Sequence, residues 1–155
     1  MMTNLICDVL KALEGKTLVT AESCTGGMIG AGLTSVPGAS CVYKGGVISY
    51  TNEIKHRVLG VGTDLLETSG AVSAPVARAM AEGARNVLEA DVAVSVTGLA
   101  GPGGDDYGNP VGTVFIGYAD DKKSYANEYH FVGDREAVRN QAICTALQMI
   151  LEVNK

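Results

Sequence analysis

The stretch Ala21-Glu22-Ser23-Cys24-Thr25-Gly26-Gly27 sets a hydroxyl, a thiol, a second hydroxyl and two glycines in succession. A β-branched apolar run, 17–22, precedes it and a glycine-rich helical pattern, 25–36, follows it. Ser23 and Cys24 therefore fall at the carboxyl end of a strand, where α/β sheets bind their ligands. The N–H groups of Thr25, Gly26 and Gly27 would open the new helix without helical partners. Glycine lets a ligand approach such donors closely, so the turn has the makings of an oxyanion hole or a phosphate cradle. Ser23 beside them is a candidate nucleophile. Taken locally, the same pattern is also a helix cap, and capping is the commoner use of Ser or Thr there. Cys24 is a second candidate, because a helix N-terminus lowers a thiol pKa. Only His56 and His130 could partner it. His56 sits among charges on an amphipathic segment and His130 alternates along a strand, so both read better as solvated or satisfied side chains.

A serine without a histidine can be activated by a neutral lysine, which needs a desolvated site or a positive neighbour. Lys44 and Lys55 are the lysines in suitable positions. Lys55 lies one turn into the helix that follows the strand Val47-Ile48-Ser49-Tyr50-Thr51, which delivers Tyr50 and Asn52 to the same sheet edge. The ordinary alternative is a solvated helix lysine. A third grouping is the run from Thr97 through Gly98, Ala100 and Gly101 to Gly104, whose amides could form a nest for an anion. It lacks the Gly-Lys-Ser/Thr of a P-loop, so no nucleoside triphosphatase is inferred. The thirteen residues 98–110 hold five glycines and two prolines, and irregular loops of this length are usually functional. Arg135 and Arg139, one turn apart, could clamp a phosphate, or pair with Asp134 or Glu136 at the surface.

The elements that must position these residues follow from periodicity. Leu5, Ile6, Val9, Leu10 and Leu13 predict a helix over 4–14 that stops at Gly15. Residues 17–22 read as a strand, 41–51 as one or two strands bent at Gly45-Gly46, and 52–60 as a helix capped by Asn52 with Ile54, Val58 and Leu59 inward. A short helical turn at 63–70 leads to a helix over 73–90, capped by Ser73 with Pro75 in its first turn. The continuous apolar run 91–98 suits a sheet centre. Residues 111–119 and 124–132 form an antiparallel pair, and Gly133-Asp134 opens a last helix over 135–153. This predicts a three-layer α/β/α sandwich on a mixed sheet, formed by one domain over residues 1–155.

The composition is ordinary for a globular protein, with 46% hydrophobic and 19% charged residues. A net charge of −5 argues against a broad nucleic-acid surface. Cys7, Cys24, Cys41 and Cys144 form no CxxC pair, and no His/Cys cluster has metal-ligand spacing, so free thiols and a reducing cytoplasm are expected. The first residues lack a signal-peptide n-region, and no apolar run is long enough for a membrane span. The small-residue helix 73–90 could pack against a second copy, which favours a dimer.

Three strings in order, 20–40 ("TAESCTGG…LTSVPGAS"), 45–61 ("GGVISYTNEIKHRVLGV") and 95–117 ("SVTGLAGPGG…NPVGTVFIG"), resemble the CinA carboxyl-terminal domain family. The resemblance covers nearly the whole chain. It implies a nicotinamide mononucleotide amidohydrolase using a Ser–Lys pair and no metal or organic cofactor. Carried over, Ser23 attacks the carboxamide and Lys55 takes its proton, with Tyr50 and Thr97 orienting lysine or substrate. Thr25, Gly26, Gly27, Asn52, Gly98, Ala100 and Gly101 would bind oxyanion or substrate, and Arg135 or Arg139 would meet the phosphate. The alternative is a nucleotide-binding or interaction module that keeps the fold without the reaction. Two departures stand out. The molybdopterin-binding-like domain that precedes this one in many members is expected to be absent. The run Asp105-Asp106-Tyr107-Gly108-Asn109-Pro110 replaces a glycine and lysine, and would put acid near a phosphate site.

Overall fold

The computed structural model describes residues 2–155. In chain order the elements are α1 (Met2–Ala12), β1 (Leu18–Glu22), α2 (Met28–Thr34), β2 (Tyr43–Ile48), α3 (Asn52–Arg57), α4 (Thr63–Ser69), α5 (Ala74–Val87), β3 (Val92–Gly98), β4 (Thr113–Ala119), β5 (Ser124–His130) and α6 (Arg135–Asn154), with a 3-10 turn at Ala39–Cys41 before β2. The five strands form one sheet in the order β2-β1-β3-β4-β5. β1 runs parallel to both neighbours, and β3, β4 and β5 are antiparallel in sequence, so the sheet is mixed as expected.

Alternation along the strands sorts side chains by size. Val92, Val94 and Val96 of β3 and Ile116 and Tyr118 of β4 join α1, α2 and α6 in one cluster. Val19, Ala21, Ala93 and Ala119 face α4 and α5 on the other side. Small residues on that second face let α5 come close: the Ser95 hydroxyl donates to the Ala77 carbonyl, and a Cβ on Gly117 would strike that same carbonyl. The face of α5 carrying Val76, Ala77, Met80, Ala81 and Ala84 is wholly buried against the sheet. It is therefore not free to form a seam with a second copy, contrary to the sequence-based argument.

Of the two readings for residues 41–51, the single strand is the one found; it passes through Gly45-Gly46 with a register shift beside Leu18 and Val19. Two local expectations need correction. α3 is capped by Thr51, whose hydroxyl accepts from Ile54 N–H at 3.3 Å, and not by Asn52. Its buried face carries Lys55 and leads to Leu59, while Val58 is exposed. No helix among the described residues is long and apolar enough to cross a membrane.

Candidate active site

β1 delivers Ser23 between two strand ends. The Ser23 N–H donates to Val96 O at 2.9 Å, and Ser49 N–H donates to Glu22 O at 2.8 Å, which extends the β1–β2 register past both strands. Glu22 points the other way. Its carboxylate, 2% exposed, accepts from the Thr25 hydroxyl at 2.7 Å and from the N–H groups of Gly27, Ile29 and Gly30 at 3.2, 2.9 and 3.0 Å. An anion at the N-terminus of α2 satisfies donors that a helix leaves unpaired. The turn can wrap around it because Gly26 and Gly27 adopt positive φ, at 59° and 102°.

This wrapping overturns one set of assignments. α2 starts at Met28, three residues later than the sequence pattern suggests. The Thr25 hydroxyl and Gly27 N–H are taken by Glu22, and Gly26 N–H donates to Ser23 O at 3.1 Å. Thr25, Gly26 and Gly27 do not line the cavity beside Ser23; what the structure gives them is the shaping of the turn. Sequence reasoning missed Glu22. The available signal was a lone acid ending an apolar strand ahead of a glycine-rich helix start.

Lys55 is 1% exposed. Its Nζ lies 2.9 Å from Ser23 Oγ, 2.8 Å from Ser49 O and 3.3 Å from Tyr50 O. Burial lowers its pKa from 10.5 to about 8, opposed by the nearby Cys24. The three partners define what the neutral amine does. It has two N–H donors and one lone pair, and the two carbonyls can only accept. In the neutral amine the lone pair is left for the Ser23 hydroxyl, an arrangement in which Ser23 can donate its proton to Lys55.

Cys24 is buried beside this pair, and burial pushes its thiol up from 9.0 to about 11. The helix that was expected to activate it begins further on, so desolvation dominates. Neither histidine reaches the site: His56 Nδ1 lies 2.7 Å from Val61 O, and His130 pairs with Glu128 at 2.7 Å. Lys44 donates to Glu89 O at 2.9 Å.

Ser23 and Lys55 open onto a cavity of about 400 Å³, whose lining includes Tyr50, Asn52, Thr97, Gly98, Ala100, Gly101 and Arg135. Thr97 is not on the lysine, since its hydroxyl donates to Ala71 O at 2.9 Å. Tyr50 reaches Lys55 through its carbonyl, while its side chain is 60% exposed at the rim with its hydroxyl 3.4 Å from Arg135 Nη2. Gly98 leaves no room for a side chain against Val114 and the Thr113 carbonyl of β4. The two arginines separate cleanly. Arg135 lines the cavity and donates to Gly101 O at 2.7 Å. Arg139 lies outside and braces the nucleophile turn, donating to Cys24 O at 3.0 Å and Thr25 O at 3.4 Å. Among the described residues no Asp or Glu lines the cavity, so Lys55 and Arg135 give it a positive field in a chain of net charge −5. Among the described residues no cluster of three or more His, Cys, Asp and Glu could hold a metal.

The glycine wall continues into a clasped loop. Asp105 accepts from Tyr107 N–H at 3.1 Å, Asn109 N–H at 3.2 Å and Asn109 Nδ2 at 2.8 Å. Asn109 Nδ2 also donates to Val72 O at 3.2 Å, and the Tyr107 hydroxyl donates to Glu67 O at 2.8 Å. Neither Asp105 nor Asp106 lines the cavity. The expectation that they place acid at an anion site is corrected: Asp105 turns back into its own loop, and Tyr107 docks that loop on α4 over Gly70.

Residues 2–154 match the family described as the CinA C-terminal domain. The chain belongs to this family. A CinA-like protein of Geobacter sulfurreducens is 49% identical over 137 residues, 88% of this chain and 33% of the relative. One from Prochlorococcus marinus is 54% identical over 118 residues, 76% of this chain and 27% of the relative. The chain thus spans about a third of the length of such CinA-like relatives. Solved CinA-family structures match it along nearly their full length. The competence damage-inducible protein A of Klebsiella pneumoniae superposes with a TM-score of 0.95 at 35% identity, covering 97% of this chain and 95% of that one. The competence/damage inducible protein CihA of Agrobacterium tumefaciens gives 0.95 at 38% identity, covering 99% and 96%.

Proposed function

We propose that this CinA-family chain hydrolyses the carboxamide of nicotinamide mononucleotide to nicotinate mononucleotide and ammonia through an acyl-enzyme on Ser23. The observation that carries the reading is the buried contact between Lys55 Nζ and Ser23 Oγ, with both lysine protons directed at carbonyls. Ser23 Oγ attacks the amide carbon as its proton passes to Nζ. The resulting ammonium protonates the leaving nitrogen, the C–N bond breaks and ammonia departs. Lys55, neutral again, takes a proton from water, the hydroxide equivalent attacks the acyl carbon, and the proton returns to Ser23 Oγ as the ester bond breaks. No step requires a metal or organic cofactor.

The cavity suits the substrate class. Its volume falls in the range of small-ligand pockets, and an unopposed Arg135 at its mouth matches a phosphate. Thr97 and Asn109 hold the Ala71–Val72 wall, and Gly98, Ala100 and Gly101 line the same cavity, which supports assigning the oxyanion or the ribose phosphate to that side. Four free cysteines suit a reducing, cytoplasmic setting. The test is ammonia release from nicotinamide mononucleotide by the wild type, Ser23→Ala and Cys24→Ala side by side. Turnover by the wild type and Cys24→Ala with loss in Ser23→Ala supports the reading; equal turnover by Ser23→Ala, or none by the wild type at high enzyme concentration, overturns it.

A further inference from the structure

The group that makes Ser23 reactive is also placed to meet the acid that the reaction leaves behind. An acyl carbon released from Ser23 Oγ sits within van der Waals reach of that oxygen, and Nζ lies 2.9 Å from the same atom. A carboxylate oxygen on that carbon therefore falls within hydrogen-bond reach of Lys55. We infer, on the strength of the amidase reading above, that Lys55, beside Ser23, forms a carboxylate-capture site that holds the product acid in preference to the substrate amide, and that rising pH releases it.

The chemistry of the donors decides the preference. A protonated Lys55 presents only N–H donors, two of them already committed to Ser49 O and Tyr50 O. Its third donor, on Ser23 Oγ at 2.9 Å in the free protein, faces the reaction centre. A carboxylate offers it only acceptors, whereas an amide must turn its oxygen there and leave its own NH2 group to find another acceptor. In a site that excludes water, an ionised pair is also stronger than its neutral counterpart.

The charged surroundings leave this contact to Lys55. On its own helix, Glu53 and Arg57 pair with each other in solvent, and His56 is turned to Val61 O. From the β1–α2 turn, Cys24 stays a thiol, since burial raises its pKa, and Glu22 is committed to α2. From the end of β2 comes the Tyr50 side chain, at the rim. From α6, Arg135 is held on Gly101 O and Arg139 on Cys24 O. Asp105 is bound within its loop, and Asp64 and Glu67 of α4 are exposed. Among the described residues no carboxylate lines the cavity to compete for the ammonium.

With Lys55 at about 8, the ammonium dominates at neutral pH and is lost above. The site is then most strongly held by its own product at and below neutrality, where the base is also least available.

The test compares nicotinamide mononucleotide with nicotinate mononucleotide by calorimetry on Ser23→Ala, which cannot turn either over, from pH 6.5 to 9.5. The acid is expected to bind roughly 10- to 100-fold tighter at pH 6.5, the size of a charge-assisted hydrogen bond. That ratio is expected to decline by up to about tenfold per pH unit above 8 as the ammonium is lost. Lys55→Met in the same background is expected to abolish the preference. Binding of both with no preference for the acid at pH 6.5, or a preference flat to pH 9.5, overturns this inference and leaves the amidase reading standing. Binding of neither overturns the amidase reading and this inference with it.

Discussion

Moving an ammonium out of water costs several kcal/mol unless an anion accompanies it, and Lys55 has none. The lowered pKa is the thermodynamic form of that cost. An unfolded chain holds the lysine proton up to about pH 10.5 and the folded chain only to about 8, so stability rises with pH between these values and the full penalty is present below them. Its size at neutral pH is about 3 kcal/mol. Lys55→Met, which keeps the side-chain length without the charge, is expected to abolish turnover while raising the stability at pH 7 by about 1–3 kcal/mol, part of the gain being offset by lost hydrogen bonds. Denaturant midpoints at pH 7 and pH 10.5 check this, because the gain should vanish at the higher pH. The proposed reaction ties rate to the same group. Its working base is the neutral amine, so kcat/KM should climb tenfold per unit up to about pH 8 and level off above it; a profile flat down to pH 6 would separate Lys55 from the rate. Ser23 and Lys55 were legible as residue types able to do this chemistry. Their meeting was implied only by the family resemblance, because a contact across thirty-two positions is made by the parallel pairing of β1 with β2 and not by local sequence.

At the scale of elements, the site depends on two connections that differ in how much the sequence discloses. The turn from β1 into α2 is organised by Glu22, whose four accepted hydrogen bonds follow from a rotamer choice that no periodicity encodes. Positive φ at Gly26 and Gly27 delayed the helix, which is why a pattern read as helical from Thr25 gave a turn there. The long loop after β3 was legible as irregular, since five glycines and two prolines forbid regular structure. The direction of Asp105 was not, because loop side chains lack a facing rule. Tyr107 anchors that loop to α4 through its hydroxyl at 2.8 Å from Glu67 O. Tyr107→Phe is expected to raise KM about threefold to tenfold with kcat changed less than twofold, a cost of about 1 kcal/mol for one hydrogen bond holding a wall. Steady-state kinetics with the amide substrate reads the split; an unchanged KM would detach the clasp from the cavity.

The whole molecule is a sheet with a large-residue face and a small-residue face, and the spacing of its layers is set by the latter. The three layers and mixed strand order were the most legible features, because long periodic helices and a central apolar strand leave few arrangements. The dimer seam inferred from the small residues of α5 was misread for a physical reason: small residues permit close approach to any surface, and here that surface is the chain's own sheet. Gly117→Val is expected to cost about 3 kcal/mol or more, since its side chain meets the Ala77 carbonyl of α5. Thermal unfolding would register it, and a wild-type midpoint would show that α5 stands further from β4 than described.

The proposed reaction requires a covalent bond that forms and breaks at one atom, Ser23 Oγ. Rapid acid quench of the wild type during turnover of nicotinamide mononucleotide, followed by peptide mass analysis, detects it directly. The account requires the nicotinate mononucleotide ester on the peptide containing residues 18–30 to map to Ser23, and to be missing from Lys55→Met. An adduct on Cys24, or full turnover by Lys55→Met, would contradict it.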